Sequence, residues 1–361
     1  MQCPFLLLLF AKCLIHAILC VRSAEQSGLK ILILGAEVKE KILKILREAQ
    51  QYISGQELCE KLGVSRTAVW KVINQLKDEG YRIEAVNNRG YCILEYPDCV
   101  TEAEIASLLD TRFLGKKVYA YNEVGSTNNT AKLLAEQGAV DGTLVVTEIQ
   151  SSGKGRRGRG WTSPAGEGIW MSFILKPSIM PFHASMLTLV AGMAVVDGLE
   201  KAGVKAAIKW PNDIVCSGKK VCGILTEMSA EMEYINYIVI GIGINVNTKE
   251  FPEEISGVAV SLFQENPKTY HRAQIISDVL KAFEGYYESF LKTEDLTYLT
   301  ERYGQYLINI NRQVRIVEKD SEFIGTARGI NNKGELLVET DGTVKAVASG
   351  EVSVRGIFGY I

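Results

Sequence analysis

The chain has 361 residues, 47% hydrophobic and 23% charged, which is typical of a globular protein and predicts two or three domains. Lys and Arg total 40 against 42 Asp and Glu, and the formal net charge of −2 excludes nucleic-acid binding driven by overall charge. Eight cysteines without a C-x-x-C pair, with only three histidines, argue against a zinc site or a disulfide framework, so we expect reduced thiols.

We predict that residues 1–37 are an extension outside the folded domains. Residues 5–21 are apolar and look like a signal-peptide core or a short membrane anchor. No positive charge precedes them, Lys12 and His16 interrupt them, and Arg22 lies where a cleavage site needs a small residue. The run is also shorter than the ~20 residues of a membrane span. We therefore expect a spurious upstream extension or an unstructured tail on a cytoplasmic protein without membrane contact; a membrane-anchored or secreted binding protein is the alternative.

A helix-turn-helix pattern occupies residues 38–97. Apolar residues at helical spacing predict a helix over Val38–Gln51, and Gly63 ends a short second helix. Ser65 is the predicted N-cap of a third helix, because its hydroxyl can accept from backbone N–H groups. Two short strands, Tyr81–Val86 and Gly90–Glu95, follow as a hairpin. The pattern predicts a winged helix-turn-helix.

Polar and cationic side chains lie off the apolar face of the third helix and at the tip of the wing. Such side chains make phosphate and base contacts when a recognition helix enters the major groove. The predicted DNA-binding residues are Ser65, Arg66, Thr67, Lys71, Asn74 and Arg89. A three-helix protein-interaction module is the alternative interpretation.

Mixed strands and helices follow over residues 101–308, and the last segment, 309–361, is nearly all strand. The incomplete strand–helix alternation favours an α+β catalytic domain over a doubly wound sheet. The short strands at the end suit a small SH3-like β-barrel. Predicted strands in the central part are Val118–Tyr121, Leu144–Glu148, Gly168–Leu175, Ala206–Lys209 and Tyr237–Val246, and predicted helices are Asn128–Gln137, His183–Ala202 and Ala273–Leu291.

The segment Gly153–Trp161 places four cations, Lys154, Arg156, Arg157 and Arg159, among four glycines. Glycine lets backbone amides approach an anion closely, and arginine offers paired hydrogen bonds to phosphate or carboxylate oxygens. The spacing is not that of a Walker P-loop. A strand ending at Gln150 precedes the segment. This favours an anion-binding loop in a folded domain, ordered when the anion arrives, over a solvated basic turn or a nucleic-acid-binding tail.

Four further segments combine polar side chains with glycine or proline at predicted strand ends. Pro211 fixes the chain between Lys209 and Asn212. A Ser126–Thr127 pair is predicted to cap the helix that follows it. The segments are Glu123–Asn128, Lys209–Asp213, Lys219–Leu225 and Ile240–Asn247.

These five segments, in this order, resemble the catalytic domain of biotin–protein ligases. With a winged helix in front and a small barrel behind, residues 38–355 resemble the bifunctional form, which is also the biotin operon repressor. The resemblance implies a catalytic domain of the biotin-ligase type, like that of class II aminoacyl-tRNA synthetases. One departure is Lys154, where the family often has arginine; a charge is kept and a fork is lost.

The resemblance implies an ATP-dependent ligase that forms biotinyl-5′-adenylate and pyrophosphate. The biotinyl group then passes to a lysine of a biotin carboxyl carrier protein. Mg²⁺ accompanies ATP and lies near Asp213, with no metal site fixed by the protein alone. The bifunctional form is a homodimer when adenylate-bound and then occupies operator DNA.

The resemblance also implies two sets of site residues. Those for biotin are Ser126, Thr127, Asn128, Gln150, Gly153, Lys154, Gly155, Arg156, Lys220 and Gly223. Those for the adenylate and catalysis are Arg156, Arg157, Arg159, Trp161, Lys209, Asn212, Asp213, Lys220 and Asn245. Two alternatives stay open: a lipoate-type acyl ligase, and a ligand-sensing DNA-binding regulator without ligase activity.

Overall fold

The structure, a computed structural model, describes residues 35, 37–158, 160–317, 321–350 and 353–356. The predicted extension, including the apolar run at 5–21, lies outside them apart from residues 35 and 37. The chain divides into two compact units, Met1–Pro97 and Asp98–Ile361.

The first unit is the predicted winged helix-turn-helix. Its elements are α1 (residues 37–49), α2 (Gly55–Leu62), α3 (Arg66–Asp78), β1 (Arg82–Val86) and β2 (Gly90–Glu95). Gly63, at φ 65°, ends α2, and the Ser65 hydroxyl accepts a hydrogen bond of 3.2 Å from the Ala68 N–H at the start of α3. β1 and β2 pair antiparallel and form the wing. The sequence predicts the stop at Gly63, the cap at Ser65 and the hairpin, because each is a local signal.

A seven-stranded mixed sheet forms the centre of the second unit, in the order β3-β4-β5-β9-β8-β7-β6. β3 and β4 pair in parallel, and the other neighbours pair antiparallel. The strands are β3 (Val118–Val124), β4 (Leu144–Gln150), β5 (Gly168–Leu175), β6 (Ala207–Lys209), β7 (Asp213–Cys216), β8 (Lys219–Ala230) and β9 (Ile235–Asn245).

Helices cover both faces of this sheet. Successive residues of its central strands point to opposite faces and are apolar on both, so each face needs a covering layer. On β5, Ile174 packs with Ala131 and Ala135, which lie on one helix, whereas Phe173 contacts Phe283 on the opposite face. The helices are α4 (Glu102–Leu108), α5 (Thr127–Glu136), α6 (Met186–Lys201), α7 (Glu253–Ser256), α8 (Leu262–Glu265), α9 (Arg272–Thr293) and α10 (Thr300–Tyr306).

The helix α6 is apolar around its whole circumference. With the turn before it, over Pro181–Lys201, it is the one helix among the described residues long and apolar enough to cross a membrane. Its apolar window is 72% buried, and it packs against α9. A helix that is hydrophobic all round is expected in the core of a large domain.

The last five strands, which the sequence predicts to be a small SH3-like barrel, form an antiparallel sheet in the order β13-β12-β11-β10-β14, and its two end strands do not pair with each other among the described residues. Its core is continuous with that of the seven-stranded sheet through side chains such as Leu336 and Val338. The indole N–H of Trp210 also donates a 3.0 Å hydrogen bond to the Gly334 carbonyl. The strands are β10 (Gln313–Val317), β11 (Glu322–Ile330), β12 (Leu336–Thr340), β13 (Thr343–Val347) and β14 (Ser353–Gly356).

Candidate active site

Two adjoining cavities lie against strands β8 and β9 of the central sheet. With the space that is open to solvent included, the smaller has a volume of about 440 Å³ and the larger about 1730 Å³. Both are lined by the same five residues: Gly155, Arg156, Trp161, Asn212 and Lys220. The structure thus brings residues from three separate sequence segments to one boundary between two compartments.

The smaller cavity is polar at one end and apolar along its floor. Its apolar lining includes Met171, Ile224 and Ile242. Ile224 and Ile242 lie in two of the predicted segments, but none of the three was predicted to be a site residue. Nine residues predicted to bind biotin also line it, and the tenth, Gly153, lies beside them in the chain: Ser126, Thr127, Asn128, Gln150, Lys154, Gly155, Arg156, Lys220 and Gly223.

The predicted capping of α5 by Ser126 and Thr127 is wrong. Ser126 occupies the N-cap position, but its side chain makes no capping hydrogen bond. Gln150 at the end of β4 takes that role, since its Oε1 accepts from the Thr127 N–H at 2.9 Å and from the Thr127 hydroxyl at 3.1 Å. Gln150 Nε2 donates to the Ser163 hydroxyl at 2.9 Å. A partner from a neighbouring strand therefore replaces the local cap.

Asn128 is buried and its amide is fully engaged. Its Nδ2 donates to Oε2 of Glu227 at 2.7 Å and to the Leu225 carbonyl at 3.2 Å. Its Oδ1 lies 2.7 Å from the hydroxyl of the fully buried Ser172. Glu227 in turn forms an ion pair with Lys132 of α5. Burial opposes ionisation of Glu227, but the hydrogen bonds from Lys132 and Asn128 outweigh it and lower the pKa of the carboxyl.

The two ends of the basic loop pair with each other. The Trp161 N–H donates to the Gly153 carbonyl at 2.9 Å, and the backbones of Lys154 and Gly160 form an isolated antiparallel β-bridge. A short 3₁₀ turn begins at Arg156. Lys154 Nζ donates to Asn129 Oδ1 at 3.2 Å. Arg159 and the side chain of Arg157, both predicted site residues, lie outside the described structure. Ordering of the loop by an anion stays a prediction.

The guanidinium of Arg156 joins three parts of the second unit. Its Nη1 donates to Asn212 Oδ1 at 3.1 Å. Its Nη2 donates to the carbonyls of Ser349 at 2.9 Å and Gly350 at 2.5 Å, both in the C-terminal sheet domain. Val354 of the same domain lines the larger cavity. The C-terminal domain therefore forms part of the wall of the larger cavity.

The predicted segment Lys209–Asp213 is the turn between β6 and β7. Lys209, Asn212 and Asp213 line the larger cavity, and Asn212 Nδ2 donates to the Ile224 carbonyl at 3.1 Å. The peptide bond before Pro211 is cis. Asp213 forms an ion pair of 2.6 Å with Lys220, which fixes the amine of Lys220 at the boundary of the two cavities.

Lys220 lies at the start of β8, with its ammonium 5.0 Å from the centre of the Trp161 ring. Its backbone N–H donates to the Val258 carbonyl at 2.7 Å, which holds the segment 250–259 against it. That segment lines the larger cavity with Phe251, Ile255 and Val258, and the sequence reasoning missed it. These three side chains are apolar, and the segment resembles no ligand-binding motif that would have revealed it.

Two glycines of β9 provide space for side chains of the site. A Cβ on Gly241 would lie 2.0 Å from Asn128 Oδ1, and one on Gly243 would lie 2.9 Å from the Trp161 indole nitrogen. Trp161 therefore packs directly on the strand, and its buried indole N–H has no hydrogen-bond partner among the described residues. Asn245, also predicted, lines the larger cavity and donates to the Val260 carbonyl at 3.2 Å.

The first unit presents the predicted DNA-binding side chains on α3 and the wing. Arg66, Thr67 and Lys71 are exposed, Asn74 is half-buried, and Arg66 Nη2 donates to Gln56 Oε1 at 2.8 Å. Trp70, which the prediction omitted, is 61% exposed among them. Arg89 in the turn of the wing is exposed, with its guanidinium 4.4 Å from the centre of the Tyr52 ring. The Ser65 hydroxyl is used as the N-cap of α3.

Comparison with known proteins agrees with this architecture. The profile of the biotin/lipoate A/B protein ligase family matches residues 122–245. An HTH-domain profile matches residues 38–92, and the biotin protein ligase C-terminal domain matches residues 310–355.

Two curated relatives match this chain over nearly their whole length. The bifunctional ligase/repressor BirA of Bacillus subtilis is 40% identical over 321 residues, covering 88% of this chain and 98% of that protein. Its namesake in Escherichia coli is 32% identical over 317 residues, covering 87% and 96%. The structure of the Aquifex aeolicus biotin protein ligase with biotin and ATP superimposes with a TM-score of 0.60 at 31% identity, covering 67% of this chain and 99% of that one.

The fold and the site thus define a ligase of the biotin/lipoate type that carries a DNA-binding domain. The chain belongs to the family of bifunctional biotin–protein ligases and repressors. The resemblance drawn from the five sequence segments is confirmed.

Proposed function

We propose that the protein joins biotin to ATP and then transfers the biotinyl group to a lysine of a biotin carboxyl carrier protein. In the first step a carboxylate oxygen of biotin attacks the α-phosphorus of ATP and pyrophosphate leaves. In the second, the carrier amine attacks the acyl carbon and AMP leaves. The observation that carries the proposal is the pair of cavities that meet at Lys220 and Arg156.

The smaller cavity suits the ring and chain of biotin. Thr127 and Gln150 offer hydrogen-bonding groups for a polar ring at one end, and Met171, Ile224 and Ile242 offer an apolar surface for the chain. The larger cavity would then hold the nucleotide, and the Aquifex aeolicus relative was solved with both biotin and ATP.

Lys220 would meet the biotin carboxylate where the two cavities join. Bringing a carboxylate to a phosphate costs electrostatic repulsion, which a cation placed between them offsets. Lys220 is held there by Asp213 at 2.6 Å, and Arg156 approaches from the loop. The remaining adenylate contacts would come from Lys209, Asn212 and Trp161, which line the larger cavity. The reaction needs no nucleophilic side chain.

Mg²⁺ would enter with ATP. Among the described residues there is no cluster of three metal-ligating side chains, while Asp213 and Glu250 line the larger cavity at separate positions. This fits a metal that arrives on the triphosphate and takes one or two protein carboxylates, with Asp213 as the proposed ligand. The metal would neutralise phosphate charge there.

The first unit would bind operator DNA in response to the adenylate, as a homodimer. Support comes from the exposed Arg66, Lys71 and Arg89 and from the names of the relatives. Carrier protein and DNA are both cytoplasmic partners, so the protein would act in the cytoplasm.

The test incubates the protein with ATP, a purified biotin carboxyl carrier domain and either labelled biotin or labelled lipoate, and measures the label transferred to the carrier domain. We expect transfer of biotin only, a loss of about 10²–10³-fold for Lys220→Ala, and a large loss for Arg156→Ala. Lys219→Ala is the matched control, since Lys219 Nζ donates to the Ser256 carbonyl at 3.0 Å and lies outside both cavities.

Lipoate transfer would identify a lipoate-type ligase instead. Biotin binding without transfer would identify a ligand-sensing regulator. Wild-type transfer by Arg156→Ala would overturn the assignment of the loop.

A further inference from the structure

A hydrogen-bond network connects the outside of α5 with the polar end of the smaller cavity. It begins at the Lys132–Glu227 ion pair, passes through Asn128 and continues to Ser172 and Thr127. Lys132 and Glu227 are about one-third exposed and do not line the cavity, whereas Asn128 and Thr127 do. No function assigned above uses Lys132, Glu227 or Ser172.

The carboxylate of Glu227 fixes which way the Asn128 amide points. A carboxylate can only accept, so the Asn128 atom 2.7 Å from Glu227 Oε2 must be the Nδ2 donor. The Leu225 carbonyl, 3.2 Å away, takes the second proton of the same nitrogen. Oδ1 therefore faces Ser172, at a position where Gly241 leaves room for it. Without Glu227, the amide would lose its one hydrogen bond to a charged acceptor, which is the strongest interaction that holds this orientation.

The orientation of Asn128 is transmitted to the groups that face the cavity. Oδ1 of Asn128 is buried and needs a hydrogen-bond donor, so the Ser172 hydroxyl donates its one proton to it. The Ser172 oxygen, 2.7 Å from Thr127 Oγ1, is then an acceptor for the Thr127 proton. Thr127 gives its proton inward, to Ser172 or to Gln150, and presents oxygen lone pairs to the cavity. A reversed amide would force Ser172 to donate to Thr127 and occupy one of those lone pairs.

We propose that Glu227, held by Lys132, is a positioning residue that sets the hydrogen-bond polarity of the smaller cavity and so its affinity for the ureido ring of biotin. The inference rests on the proposed function, because it takes the smaller cavity as the biotin site. It adds two residues outside the cavity to the determinants of substrate affinity. Glu227 also faces Lys154 of the basic loop, whose charge further lowers its pKa.

The experiment measures biotin affinity by calorimetry and the kinetics of pyrophosphate release for the wild type and for Glu227→Ala. We expect the biotin Kd and KM to rise about tenfold or more, because one oriented hydrogen bond is lost, while the KM for ATP stays the same. The matched control is Glu136→Ala on α5, the helix that carries Asn128 and Lys132, which removes an acceptor for the Tyr237 hydroxyl at 3.0 Å and leaves the hydrogen bonds of Asn128 in place. It should bind biotin as the wild type does.

A rescue pair keeps the test decisive if Glu227→Ala is unstable. In Glu227→Gln, one side-chain amide faces two donors, Asn128 and Lys132, so biotin affinity should fall. Adding Lys132→Gln supplies an acceptor for the new N–H₂ group and should restore affinity to within about threefold of the wild type. A double variant as weak as the single variant would overturn the proposal.

Failure of the proposed function and failure of this inference give different results. A wild-type protein that binds no biotin would refute the proposed function. A wild type that binds biotin, together with a Glu227→Ala variant of unchanged biotin Kd, would refute this inference alone.

Discussion

At Gly241, the site depends on the absence of a side chain. The Cβ of any other residue would lie 2.0 Å from Asn128 Oδ1, a separation that real Cβ atoms do not adopt. Asn128 cannot retreat easily, because it is buried and hydrogen-bonded to Glu227, Leu225 and Ser172. The glycine in β9 is thus as much part of the polar wall as the asparagine itself.

We predict that Gly241→Ala displaces Asn128 and raises the biotin Kd by about 100-fold, through loss of buried hydrogen bonds worth roughly 1–3 kcal/mol each. Calorimetric titration with biotin measures this. Gly285→Ala is the control, since a Cβ at that position of α9 meets nothing within 4 Å. Unchanged biotin binding by Gly241→Ala would show that Asn128 is not needed in its present place.

The sequence identified the residues of the site better than their partners. Lys220 and Asp213 were selected because their segments carry charge, and the structure pairs them at 2.6 Å. Glu227 was not selected, because it lies 99 residues from Asn128 and only the pairing of distant elements brings them together. The predicted cap at Ser126 was wrong for the same reason: Gln150, on a strand distant in sequence, accepts the hydrogen bond from the first N–H of α5 instead.

At the scale of elements, α9 is tied to the sheet and to the start of the second unit by one buried arginine. Arg272 is 1% exposed and pairs with Asp98 at 2.9 Å and with Glu148 of β4 at 2.7 Å. Burial opposes the charge of Arg272, but its hydrogen bonds and ion pairs with the two carboxylates outweigh burial and raise its pKa. Glu148 also accepts from the Gly166 N–H at 3.1 Å, near the larger cavity.

Removing this guanidinium should be costly, because two carboxylates would be left without their shared partner. For Arg272→Met we predict a loss of about 3–5 kcal/mol in the free energy of unfolding of the second unit, measured by urea denaturation. Lys281→Met on the same helix breaks an exposed pair with Asp110 and should cause no measurable change. Equal stability of the two variants would contradict the structural role of the buried network.

Elements with a strong local signal were predicted from the sequence, and their arrangement was not. β5 and β2 were predicted to the residue, and Ser65 and Gly63 mark the limits of their helices because caps and turns are local. The order of the seven strands depends on pairings such as that of β5 with β9, about 70 residues apart in the chain. No local pattern encodes such a pairing, so the two cavities it creates became visible only in the structure.

At the scale of the molecule, the net charge of −2 is near neutral, but the cations of the two units differ in their surroundings. Cations that would meet DNA phosphates, such as Lys71 and Arg89, lie exposed in the first unit. Arg156, by contrast, is engaged by Asn212 and by carbonyls of the C-terminal domain in the second. We therefore propose that the basic loop serves the small-molecule site and that α3 and the wing bind DNA.

If the adenylate is the signal that joins these two activities, each should be separable by a single substitution. The probe is a DNA duplex selected by the protein from random sequences in the presence of biotin and ATP, with binding measured by fluorescence anisotropy. We predict that biotin and ATP together tighten DNA binding roughly 5–150-fold, with a monomer-to-dimer shift in sedimentation.

Arg156→Ala should lose this tightening and keep the weak binding of the unliganded protein. Lys71→Ala should lose affinity in both states and lower the salt dependence by about one unit of slope, while transferring biotin normally. DNA affinity and dimerisation that ignore biotin and ATP would remove the repressor from this proposal and leave the ligase intact.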